Sequence, residues 1–132
     1  MKEKLKGIRE HLLHLHSLLL ADQRNEYEQM FGRVKGPGDM LNLVMNHEWF
    51  AWLRALSSLI VRIDELLDHE KAGVEWSDAE AKTLIEYTEA LLTPAEEGAV
   101  FRQKYHTAVQ RNPDVLIAHR QLKGLLSGSP AA

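Results

Sequence analysis

Between Met40 and Glu70 the chain reads MLNLVMNHEWFAWLRALSSLIVRIDELLDHE, a run without Pro or Gly that holds two of the three Trp residues. At about 100° per residue, Leu41, Met45, Trp49, Trp52, Leu56, Leu59, Ile60, Ile63, Leu66 and Leu67 fall in one broad sector. That sector is wider than one amphipathic stripe requires. Leu43, Phe50 and Val61 lie outside it, so the run predicts a helix with neighbours on more than one side. It is the candidate central rod, with Trp49, Trp52, Leu56 and Ile63 inaccessible to solvent.

A second long run precedes it. From about Lys2 to Phe31, Leu5, Ile8, Leu12, Leu15, Leu19, Leu20, Tyr27 and Met30 recur at helical spacing. The segment Gly32–Asp39 separates the two runs with three Gly and Pro37, and Asp39 is the candidate N-cap of the second helix. Two helices of about 30 residues, each about 45 Å long and joined by a short loop, predict an antiparallel hairpin.

Three shorter helices follow, at about 78–92, 94–111 and 113–126. Lys71-Ala72-Gly73 supplies a stop, and Ser77 with Glu80 forms a capping box for the first of them. Leu84, Ile85, Thr88, Leu91 and Leu92 give that helix one apolar face. Thr93-Pro94-Ala95-Glu96 repeats the capping device, and Asn112-Pro113-Asp114 opens the last helix with an Asn cap and Pro in first position. Phe101, Tyr105, Ala108 and Val109 form the fourth helix's core line. Val115, Leu122, Leu125 and Leu126 form the fifth's, with His119 half-exposed at its margin. Nothing reads as a strand. The fold class is all-α, a single helical-bundle domain over 1–126 built on the hairpin, with a disordered tail at 127–132.

Composition narrows the function. Sixteen basic against 19 acidic residues leave a net charge of −3, which argues against general nucleic-acid binding. The absence of Cys removes disulfides, thiolate metal sites and a thiol nucleophile, and fits a reducing compartment. Arg9, Glu10, His11, His14 and His16 interrupt the leucine-rich N-terminus, which is not a signal-peptide core. No apolar run has the length of a membrane span. These features predict a cytoplasmic protein with no membrane partner.

Seven His invite a metal search, and spacing answers it. No His has Glu three residues before it, as di-iron carboxylate bundles require, or an acidic residue four after it, as hemerythrin-like bundles do. His47-Glu48 lacks the second His of a zincin motif. His11 and His14 point away from the leucine stripe and read as a solvated pair. Ferritin-like, hemerythrin-like and DinB-like proteins share a bundle architecture, but without their ligand motifs the analogy carries no function. No nucleotide fingerprint, phosphate loop or Ser-nucleophile motif occurs, so no cofactor is expected.

Two constellations remain. Polar residues inside the apolar sectors, His16 and Gln23 on the first helix and Glu48 on the second, form a candidate buried polar seam, since a buried carboxylate needs a partner. On the opposite side of the second helix, His47, Arg54 and Arg62 share a stripe with Ala51, Ser58 and Glu65, a candidate anion or partner face. An ordinary structural network and a solvated face are the plain alternatives. The leading functional reading is a non-enzymatic, self-associating helical interaction module, a homodimer, because Leu43, Phe50 and Val61 exceed what one face uses. The competing reading is a metal- or small-molecule-binding bundle using Glu48 and His16, with oxidoreductase or hydrolase chemistry as its enzymatic form.

Overall fold

Leu5, Ile8, Leu12, Leu15 and Leu19 recur at alternating three- and four-residue spacing, and in the computed structural model all five are fully buried along one helix, α1 (Lys2–Phe31). The structure describes residues 2–71, 73, 78–93 and 100–128. After α1 come α2 (Pro37–Asn46), a 3₁₀ segment (Glu48–Leu53), α3 (Arg54–Lys71), α4 (Asp78–Leu92), α5 (Val100–Arg111) and α6 (Pro113–Leu126). No strand occurs among the described residues, and the fold is an all-α helical bundle. None of its described helices is long and apolar enough to cross a membrane.

The predicted second rod does not form as one helix. His47 adopts an extended backbone (φ −87°, ψ 138°) and its Nδ1 accepts the Trp49 backbone N–H at 3.0 Å. This side chain therefore offers the backbone a local alternative to continuing the helix. The chain then turns through six residues of 3₁₀ helix before α3 begins. A 3₁₀ turn advances about 120° per residue, so the faces upstream of Leu53 lose the phase of the α-helix that follows.

That change of phase explains which burial expectations fail. From α3 onward Leu56, Leu59, Ile60, Ile63, Leu66 and Leu67 are all buried, as the periodicity predicts, and Trp52 is 7% exposed. Upstream, Leu41 and Met45 are 61% and 62% exposed, Trp49 is only half-buried, and Phe50 is fully buried. Met30 at the end of α1 is also exposed.

The central position belongs to α1, which meets α3, the 3₁₀ segment, α4 and α6. Contacts with α3 and the 3₁₀ segment before it run antiparallel: Arg9 pairs with Asp64, His16 with Ser57, and Gln23 with Trp52. On its other side α6 returns antiparallel, from Asn112 beside Asp22 to Leu126, whose carbonyl accepts from Lys4 Nζ. Gly7 lies at this second interface, where an added Cβ would sit 3.2 Å from Leu125 Cδ2. The glycine is thus a close-approach position in the α1–α6 contact rather than a tolerated end residue.

Short helices downstream follow the expected faces. Leu84, Ile85, Thr88, Leu91 and Leu92 on α4 are buried, as are Phe101, Tyr105, Ala108 and Val109 on α5. Asn112 caps α6 as predicted, its Oδ1 accepting the Asp114 and Val115 N–H groups with Pro113 in first position. For α2 the cap differs. The helix starts at Pro37 behind Gly36, with no side-chain cap, and Asp39 stands in its first turn. Ser77, Pro94 and Glu96, which the two capping boxes require, lie outside the described residues, as does most of the predicted tail.

Candidate functional site

Of the predicted polar seam, Gln23 is where the sequence places it. It is 9% exposed, its Oε1 accepts from Trp52 Nε1 at 3.4 Å, and its backbone carbonyl accepts from Trp49 Nε1 at 3.2 Å. His16 is half-buried two turns away, with Nε2 2.8 Å from Ser57 Oγ. Burial lowers its pKa below the ordinary imidazole value and holds the ring neutral.

Glu48 is not part of this seam. It is exposed and has no side-chain partner among the described residues. The reason is again the break at His47: Glu48 opens the 3₁₀ segment, and the inward direction passes to Phe50, Trp52 and Leu53.

The buried carboxylate belongs instead to Asp22, 6% exposed. Its Oδ2 accepts from Arg111 Nη2 and from Gln23 Nε2 (3.2 Å), and its Oδ1 accepts from Asn112 Nδ2 (3.2 Å). Arg111 also reaches Glu26 at 3.4 Å, and Asp22 raises the guanidinium pKa further. The signal for Asp22 was present in the sequence, since Ile8, Leu12, Leu15, Leu19 and Asp22 continue one four–three spacing. This network ties α1 to the α5–α6 corner.

A second buried polar group sits between α5 and α6. His119 is 9% exposed rather than half-exposed, and its Nδ1 is 2.6 Å from Tyr105 Oη. Desolvation, then the neighbouring charges of His106, Lys123 and Arg120, depress the His119 pKa to about 4. Burial likewise raises the Tyr105 phenol above its ordinary value. A neutral phenol and a neutral imidazole therefore share this hydrogen bond. His106 hydrogen-bonds the Leu92 carbonyl through Nε2 at 2.9 Å, with its ring 5.7 Å from that of His119. Val115, His119, Leu122 and Leu126 share one spacing, which places His119 in the core line.

The predicted anion face does not converge. His47 is engaged in capping and in ring contacts with Tyr27 and Phe31 at 5.4 and 6.0 Å. Arg54 donates from Nη2 to the Met45 carbonyl at 2.7 Å. Arg62 is exposed two turns further along α3, about 12 Å away by helical rise. Ser58, Val61 and Glu65 on the same stripe are exposed, so this side of α3 is a solvated face.

The least finished part of the surface is α2. Its sequence, PGDMLNLVMN, includes five large apolar residues, yet none is buried. Between α2 and α1 lies a groove of about 670 Å³ whose walls include His16, Leu20, Ala21, Arg24, Met40 and Val44. Among the described residues no group of three or more His, Asp or Glu is placed to hold a metal ion. Comparison with models of known protein families, with characterised proteins and with solved structures gave no match.

Proposed function

We propose that this chain is a non-enzymatic helical interaction module that self-associates as a homodimer through α2. The observation that carries the reading is the exposed ridge of Leu41 and Met45, one helical turn apart and 61% and 62% accessible. Single exposed apolar side chains are ordinary, whereas an apolar helix with no buried residue is a surface in need of cover. A two-fold interface brings each patch against its own copy, so like charges in it are unfavourable. Asp39 is the one charged residue of α2, and the polar residues beside the ridge, Asn42 and Asn46, are neutral and hydrogen-bonded to each other at 2.7 Å.

Phe50 no longer supports this reading, because it fills the chain's own core, and Leu43 is half-covered. The support moves from the breadth of the second rod to the exposure of α2. Light scattering over a micromolar-to-millimolar range is expected to give twice the 15.1 kDa chain mass at the upper end. Met45→Glu should return the chain mass with an unchanged helical circular dichroism spectrum. A concentration-independent monomer mass for the unaltered chain refutes the reading.

A further inference from the structure

We infer that the groove between α1 and α2 binds a small amphiphilic carboxylate, with its apolar body on Leu20, Ala21, Met40 and Val44 and its carboxylate on Arg24. This inference does not rest on the homodimer: Leu41 lines the groove as well as standing on the exposed ridge, whereas Met45 belongs to the ridge alone. A groove of about 670 Å³ lies within the range of small-molecule sites, roughly 300–1,000 Å³. Its walls are aliphatic along α1 and α2, which suits a hydrocarbon chain and offers little to a polar metabolite.

Charge selects the head group. Arg24 is the only cationic residue of the lining, because His16, at the other end, is held neutral by burial and occupied by Ser57. No carboxylate lines the groove. The neighbouring Glu28 is already engaged, with Oε2 accepting the Val34 N–H at 2.7 Å and Oε1 3.7 Å from Arg24 Nε. Arg24's terminal nitrogens make no hydrogen bond among the described residues, and a guanidinium fork matches a carboxylate in two-point geometry. From Arg24 to His16 the helical rise is about 12 Å, the length of a chain of roughly nine or ten carbons. A wholly apolar ligand would leave Arg24 without a role, and a polar anion would leave the walls without one.

The test uses the full-length chain, with decanoate as the probe and decan-1-ol as its uncharged counterpart, each titrated calorimetrically below its aggregation limit. Saturable one-to-one binding of decanoate, tighter than that of decanol, is expected. Arg24→Gln should weaken decanoate by about three- to tenfold and leave decanol unchanged. Ala21→Phe, at an exposed position that narrows the groove without entering the core, should abolish binding of both while the circular dichroism spectrum is kept. Met45→Glu should leave decanoate binding as it is. The inference is overturned by the absence of saturable decanoate binding, by equal affinity for decanol, by insensitivity to Arg24→Gln or Ala21→Phe, or by loss of binding in Met45→Glu, which would move the site to the outer ridge.

Discussion

Replacing Asp22 by Ala is expected to destabilise the fold by about 2–4 kcal/mol, and the network around it sets that range. The carboxylate receives one charge-assisted hydrogen bond from Arg111 and two longer ones, both 3.2 Å, from Gln23 and Asn112. A hydrogen bond to a charged group contributes about 1.5–3 kcal/mol, and the two amide bonds contribute less at that length. Stranding a fully buried partner charge would cost about 3–5 kcal/mol, but Arg111 is not stranded. Its side chain is 39% exposed and keeps Glu26 at 3.4 Å, which lowers the upper end. Asn112 also keeps its capping role through Oδ1.

Urea unfolding followed by far-ultraviolet circular dichroism reads the loss. With a slope of about 2 kcal/mol per molar, the midpoint should fall by about 1–2 M without a change in slope. A double-mutant cycle with Arg111→Ala should give a coupling of about 1–2 kcal/mol. A loss below about 1 kcal/mol together with zero coupling would refute the reasoning, because the pair would then behave as an exposed surface ion pair.

Leu56→Ala, at a fully buried position on α3, should cost about 2–5 kcal/mol in the same urea assay, and a loss under about 1 kcal/mol would mean that the site collapses or is not core. His119 is neutral in the fold with a pKa of about 4, while in the unfolded chain it titrates near the ordinary imidazole value of 6.5, so stability is expected to fall as pH drops from 6.5 towards 4. His119→Gln should flatten that slope by about 1–2 kcal/mol across the window, and an unchanged slope would contradict the assignment.

Periodicity made most of the bundle legible, because α3, α4, α5 and α6 each keep one helical phase and α1 keeps it as far as Gln23. Leu12, Leu56, Ile63, Leu84 and Leu122 are buried for the reason the spacing gives. Apart from Met30, which is exposed, and His119, which is buried, what failed lies between Pro37 and Leu53. A helical wheel assumes one phase, and nothing in the spacing of Leu41, Met45 and Trp49 reports that His47 will turn its imidazole back onto the Trp49 amide. That single local hydrogen bond decides that Glu48 points to solvent and Phe50 to the core. The candidate site was legible to the same degree. Gln23 and His16 stand on the unbroken α1, where they meet Trp52 and Ser57, whereas their supposed partner stands just past the break. Asp22 and His119 were readable from their own stripes, but their partners Arg111 and Tyr105 come from other helices, and no spacing rule within one helix finds them.

The polar interior of this bundle is complete in itself. Among the described residues Asp22, Gln23, Thr88 and His119 are the buried polar ones, and each has a hydrogen-bond partner within the protein. No buried side-chain nitrogen or oxygen among the described residues lacks one. Unmet requirements lie on the surface, where α2 exposes aliphatic side chains on its outer side and shelters an aliphatic groove with one arginine on its inner side. Helices with few buried contacts open at lower free energy than the core around them. The same weak docking that keeps α2 out of the core therefore lets it adjust to whatever it covers, which is why both proposals are placed on this helix.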